Sequence, residues 1–194
     1  MKDQPTLDFY AREAEAYASR YTASKELGRF LPLVPAAGRI LELGCGGGHD
    51  SAAMLAAGFD VVATDGSAEL ARQAEKRLGR PVKVLLFEDI DFVEEFDGVW
   101  ANACLLHVPK RSLAEVFKRV RRALRHGGVL YASFKTGGEE SVDQFGRYYN
   151  YPDEPYLREA LGPGNWSSIE IAQRSGGGYY NLPAEWLHLL AVKA

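Results

Sequence analysis

The sequence predicts a doubly wound α/β fold on three observations. Short apolar strand patterns alternate with helical ones from residue 39 to 135, a glycine-rich turn follows the first strand, and an acid ends the second. Residues 39–43 (RILEL) read as a buried strand, and residues 50–57 as a helix ended by Gly58. Residues 61–64 (VVAT) form the second strand; Ser67 then caps a helix reaching Leu78, with Glu69 in its first turn. A third strand at 82–87, a fourth at 98–102, an amphipathic helix at 110–125 and a fifth strand at 128–135 complete the alternation. Apolar strands joined by helices through short turns imply a parallel sheet covered on both faces, with right-handed crossovers.

Two regions stand outside this repeat. Residues 6–30 pattern as helix and carry Phe9, Tyr10, Tyr17 and Tyr21, whereas residues 137–155, rich in Gly, Tyr, Asp and Glu, read as a long loop of the kind that binds ligands. A helix at 155–161 precedes two further strand patterns, 166–173 and 186–192. They are separated by a Gly176-Gly177-Gly178 turn and lie close enough to pair antiparallel.

With 194 residues, 46% hydrophobic and 25% charged, the chain fits one globular domain spanning 1–194, with residues 1–30 as a helical lid and 136–155 as a substrate-side loop. A net charge of −3 and a pI near 5.9 provide no general basic surface, which disfavours nucleic acid as a partner. No run of about 18 apolar residues is present and the first residues are polar, so the expectation is a cytoplasmic protein without a membrane partner, monomeric or homodimeric. Cys45 and Cys104 lack metal or disulfide spacing and read as reduced, apolar fillers; His49, His126 and His188 show no ligand spacing, so no metal is expected.

The segment Glu42-Leu43-Gly44-Cys45-Gly46-Gly47-Gly48-His49 is the most informative. Glycines at a strand-to-helix turn permit positive φ and let a ligand approach the backbone. The nicotinamide fingerprint needs its third glycine one residue later, where His49 stands, and no Gly-Lys-Ser/Thr follows to make a phosphate-binding Walker loop. Asp65, at the end of the second strand, lies where a parallel sheet brings it beside the glycine loop; a carboxylate there accepts from ribose hydroxyls, the alternative being a turn or capping role with Gly66.

These residues resemble the class I S-adenosylmethionine-dependent methyltransferases. Their E/D-x-G-x-G-x-G motif appears as Glu42 to Gly48 and their post-second-strand acid as Asp65. Phe96-Asp97-Gly98-Val99-Trp100-Ala101-Asn102 resembles the fourth-strand motif, Leu105-Leu106-His107-Val108-Pro109 its continuation, and Leu124-Arg125-His126-Gly127-Gly128 the entry to strand five, with His126 in place of proline. The resemblance spans roughly residues 9–135. More narrowly, residues 105–109 with Ser133-Phe134-Lys135 look like a bacterial group related to the tellurite-resistance and small-molecule methyltransferases. It implies a seven-stranded, mostly parallel sheet of order 3-2-1-4-5-7-6 whose strand 7 is antiparallel.

The resemblance also assigns roles, with S-adenosyl-L-methionine as cofactor and a small molecule as acceptor. Gly44, Gly46 and Gly48 would lie under the methionine part, Glu42 would hold the loop or approach the ammonium group, and Asp65, followed by Gly66 and Ser67, would take the ribose. Asp89 and Ile90 would meet the adenine, with Glu88 as the rival polar contact or both acids as a solvated helix start. Ala101 and Asn102 would pass near the methionine ammonium and carboxylate, and Tyr17 and Tyr10 would close over cofactor and acceptor unless they pack as core. His107 is the candidate base, or else a structural histidine. Lys135, Arg147, Tyr148 and Tyr149 lie over the same sheet edge, suited to an anionic or aromatic acceptor, the alternative being a surface loop. Asn102-Ala103-Cys104-Leu105 differs from the N/D-P-P-Y/F of amino-methylating nucleic-acid enzymes, which again favours a small acceptor. Two other readings remain open: a cofactor-binding module that has lost catalysis or a methyltransferase-like partner protein, and a nicotinamide-dependent oxidoreductase.

Overall fold

The computed structural model describes residues 3–20, 22–177 and 183–194. Arg39–Leu43 (β1), Asp60–Asp65 (β2), Lys83–Val84 (β3), Phe96–Ala101 (β4) and Leu124–Thr136 (β5) form the parallel part of a seven-stranded sheet. Ser141–Val142 (β6) and Tyr148–Tyr149 (β7) make a separate hairpin, and Trp166–Gly177 (β8) with Pro183–Lys193 (β9) completes the sheet in the order β3-β2-β1-β4-β5-β9-β8. β9 runs antiparallel to both of its neighbours, so it is the seventh strand of the expected order. Gly178, the last residue of the expected turn before it, lies outside the described residues, as does Tyr21.

The helices are Gln4–Arg12 (α1), Ala14–Arg20 (α2), Leu27–Phe30 (α3), His49–Ala56 (α4), Ala68–Leu78 (α5), Lys110–Ala123 (α6) and Glu154–Leu161 (α7). Two apolar layers sandwich the sheet. On one face Leu41, Leu43, Val99, Leu130 and Phe134 meet Leu113, Phe117 and Val120 of α6; on the other Ile40, Trp100 and Tyr131 meet Phe30 and Met54. Ser67 caps α5 by accepting from the Leu70 N–H, and Gly79 ends it in the left-handed conformation.

Three sequence expectations are corrected. The strand expected over 82–87 pairs only at Lys83 and Val84, because Phe87–Asp89 winds into a short 3₁₀ turn at the sheet's carboxyl edge. The helical stretch expected over 6–30 is broken into α1, α2 and α3. The loop expected over 137–155 contains β6 and β7, joined by a turn in which Asp143 accepts from the Phe145 and Arg147 N–H groups. Among the described residues no helix is long and apolar enough to cross a membrane.

Candidate active site

The carboxyl ends of β1, β2, β4 and β5 open into two adjoining cavities, where ligands of open α/β sheets bind. The larger, about 630 Å³, runs from the glycine loop to β5, β7 and the distal part of the β8–β9 ribbon. The smaller, about 110 Å³, lies between Asp65, Gly66 and the segment from Leu85 to Glu88. Tyr10, Tyr17, Gly44, Gly46, Asn102 and His107 line both.

The glycine loop has its shape because no other residue fits it. Gly44 has φ +66°, and a Cβ there would sit 2.5 Å from the Cβ of Cys104. Gly46 has φ +55°, and its Cβ would project toward the Tyr17 ring at 3.1 Å, into the cavity. The loop is tied down by its own backbone: the Cys45 N–H donates to the Thr64 carbonyl (2.9 Å) and the Gly46 N–H to Asp65 Oδ2 (2.8 Å). Asp65 Oδ1 also accepts from the Ser67 N–H (2.8 Å), so this carboxylate closes the loop while still lining the smaller cavity. Burial raises its pKa to about 6 despite these hydrogen bonds.

Beneath the loop Glu42 and Asp50 join Asp65 as three neighbouring acids. Glu42 accepts from the Ser51 hydroxyl. Asp50 accepts from Trp100 Nε1 (2.8 Å), Asn102 Nδ2 (3.2 Å) and the Ser24 N–H (2.6 Å). Burial, reinforced by the neighbouring Asp50 charge, pushes Glu42 up to about 8, so at neutral pH it is mostly protonated. This wall gains from a cation beside it. Asp50 was legible in the sequence only as an acid in the first turn of a helix; its service as a hub for β4 and residue 24 is a matter of tertiary structure.

The opposite end of the large cavity is cationic and aromatic. Lys135 Nζ lies 4.3 Å from the Tyr149 ring centroid and 5.9 Å from that of Trp186. Arg147, 3% exposed, pairs with Asp143 Oδ2 (2.7 Å) and lies over Phe9 and Tyr149. Burial and the nearby Arg147 charge lower the Lys135 pKa. Tyr10 and Tyr17 meet edge to face at 5.2 Å.

His107 is committed on both ring nitrogens. A carbonyl only accepts, so Nδ1–H donates to the Tyr148 carbonyl (2.6 Å), which leaves Nε2 to accept from the Tyr10 hydroxyl (2.9 Å). Burial holds its pKa down at about 4, so the ring is neutral at physiological pH. The same Tyr148 donates its N–H to Thr6 Oγ1 (2.9 Å), and His107 therefore joins α1 to the β6–β7 hairpin.

Several sequence-assigned residues fall elsewhere. Asp89 is exposed and Ile90 is fully buried in the core, because the 3₁₀ turn rotates Phe87 and Glu88 toward the smaller cavity instead. Gly48 opens α4 and packs on Ala74, Ser67 caps α5, and Ala101 is sealed inside the sheet; none lines a cavity. Glu42, Gly44, Gly46, Asp65, Gly66, Asn102, Tyr10, Tyr17, His107, Lys135, Arg147 and Tyr149 are brought together as lining residues. Sequence reasoning missed Asp50, Ser133, Trp186 and His188, whose positions depend on the pairing of β5 with β9 and on α4 docking against β4.

Comparison with known proteins shows what the chain is similar to. Residues 40–128 match the model of a methyltransferase domain. Nearly half of the chain, from β1 into β5, is therefore similar to a methyltransferase domain. It is 31% identical over 174 residues to a trans-aconitate 2-methyltransferase of Variovorax paradoxus, covering 85% of this chain and 62% of that protein. The chain spans 46% and 62% of the length of the curated relatives it matches. Its fold superposes with a TM-score of 0.77 on the Burkholderia thailandensis 1,6-didemethyltoxoflavin-N1-methyltransferase with bound 1,6-didemethyltoxoflavin and S-adenosylhomocysteine, at 20% identity over 98% of this chain and 88% of that one. TehB from Haemophilus influenzae superposes with a TM-score of 0.72 at 12% identity, over 96% and 67% of the two chains.

The residues present fit the methyltransferase cofactor. A glycine cradle that a Cβ would fill, buried acids that favour a cation, and a small cavity walled by Leu7, Leu70, Leu85 and Phe87 match its backbone contact, its ammonium and its purine.

Proposed function

We propose that this chain, acting as a single catalytic domain, transfers the methyl group of S-adenosylmethionine to a small-molecule acceptor. The observation that carries the reading is that the two adjoining cavities at the sheet's carboxyl edge share Gly44, Gly46, Tyr10 and Tyr17 as walls. The cofactor supplies a methyl group already activated by the positive charge on its sulfur, so positioning and water exclusion carry much of the catalysis.

Asp65 offers its remaining lone pairs to the ribose, and Glu88 stands where an adenine amino group is met in place of Asp89. Glu42 and Asp50 face the methionine ammonium with Asn102 between them and the acceptor. Tyr10 and Tyr17 roof the junction, and His107 holds the Tyr10 hydroxyl and fixes α1 on the β6–β7 hairpin. Lys135, Arg147 and Tyr149 bound the acceptor end. The acceptors in the names of the Variovorax and Burkholderia proteins are small molecules, which supports a small acceptor here.

Isothermal titration with S-adenosylhomocysteine and, separately, NAD tests the reading. Saturable binding of the first without the second is expected; binding of NAD alone, or of neither, overturns it.

A further inference from the structure

The cations around the large cavity are not equivalent. Arg147 is neutralised by Asp143, Arg174 pairs with Glu26 at 2.7 Å, and Lys25 stands exposed at the rim. Lys135 is half-buried and no carboxylate lies within ion-pair distance of it among the described residues. Its ammonium rests instead over the Tyr149 and Trp186 rings, a contact that stabilises the charge without cancelling it. A cation held in this way, partly out of water, gains most from an anion delivered by a ligand.

A second observation concerns protons. An amine, alcohol or thiol acceptor has a proton to lose, and the carboxylates and His107 that line the cavity are poorly placed to take it, while His188 and His49 have one ring nitrogen each engaged, with the Tyr131 hydroxyl and the Ala18 carbonyl. His107 has both nitrogens engaged. Asp50 and Glu42 are turned to Trp100, Asn102 and Ser51, and Glu26 to Arg174. A carboxylate acceptor has no proton to lose at neutral pH and needs no base.

Resting on the methyltransferase reading, we infer that the acceptor is a small carboxylate, held at one oxygen by Lys135 and methylated on the other. The free carboxylate oxygen forms a bond to the methyl carbon as the carbon–sulfur bond breaks. The sulfur keeps the electron pair of that bond, no proton moves, and the product is a methyl ester.

The distinguishing property of the product is its lability, because methyl esters release methanol in mild alkali whereas N-, S-, C- and alkyl ether methyl groups do not. The experiment incubates the full chain and methyl-labelled S-adenosylmethionine with a panel of mono-, di- and tricarboxylic acids, with amine, phenol and thiol counterparts, and with a bacterial small-metabolite extract. Volatile label released by alkali is expected from the carboxylic acids. Label that survives alkali means that the methyltransferase reading holds and the carboxylate inference falls; so does S-adenosylhomocysteine binding with no alkali-labile product from panel or extract. Absence of S-adenosylhomocysteine binding instead overturns the underlying reading. Lys135→Met should raise the carboxylate's KM at least tenfold and Lys135→Arg should restore most of it, while S-adenosylhomocysteine affinity stays within about twofold of the parent in both. An unchanged KM in Lys135→Met, or loss of S-adenosylhomocysteine binding in that folded variant, places Lys135 elsewhere and overturns the inference.

Discussion

The two ends of the large cavity are built on different principles. The glycine-loop end is made of backbone: positive-φ glycines, N–H groups tied to Asp65 and a carboxyl cluster whose members come from β1, β2 and the first turn of α4. The opposite end is made of side chains that converge from α1, the segment after β4, β5, the β6–β7 hairpin and β9. Backbone conformation leaves a compact trace in sequence, since it restricts which residue types fit at consecutive positions. Convergent side chains leave a trace scattered over more than a hundred residues, which no local pattern gathers.

That contrast is open to attack, most forcefully at the backbone end. Gly44→Ala puts a Cβ against Cys104 at a positive φ, so it should destabilise the fold by about 3 kcal/mol, the sum of overpacking and strain. Urea denaturation reads this directly; a stability within 0.5 kcal/mol of the parent would show that the loop tolerates side chains and that its glycines are not imposed by packing.

Next in size is Asp65→Ala, which should weaken S-adenosylhomocysteine binding by about 1.5–3 kcal/mol, the scale for hydrogen bonds to a charged group. The variant's circular dichroism must first match the parent's, because the Gly46 and Ser67 N–H groups lose their acceptor too. Unchanged affinity in a folded variant would leave Asp65 as a loop clasp alone.

The smallest effect is the most specific. Glu42 is raised from 4.5 to about 8 in the folded chain, so its protonated form is favoured by folding; that contribution is complete at low pH and is lost as pH rises through 8. A ligand ammonium favours the ionised form instead. Affinity for S-adenosylhomocysteine should therefore increase about fivefold between pH 7 and 8, and Glu42→Gln should flatten the profile. A pH-independent affinity in the parent chain would remove Glu42 from contact with the ligand's charge.

Legibility followed the same division. β1 begins and ends where the apolar run RILEL put it, and the order of the sheet is the one implied by the family resemblance, with the five βα units and the closing hairpin pattern consistent with it. The 3₁₀ turn at Phe87–Asp89 was not legible, because one residue of extra rotation suffices to exchange Asp89 for Glu88 at the cavity and leaves no mark on composition. His107 could be placed near the carboxyl edge from its position after β4, yet its partners Tyr10 and Tyr148 lie 97 and 41 residues away in sequence. Whether a histidine's lone pair is free is decided by such distant neighbours.

The β8–β9 ribbon is the last strand pair of the sheet and also a wall of the cavity, since Arg174, Ser175 and Gly176 line it near one end while Trp166 and Val192 knit the other into the sheet. Its outer strand carries Ser167, Ser168, Glu170 and Gln173, polar residues that blunt an edge otherwise ready to pair with another chain. A single ribbon thus has an end anchored in the sheet and an end on the cavity, about eight residues apart or some 26 Å of extended chain. Substitutions at the far end can therefore alter the cavity wall while the core that anchors the ribbon is left in place.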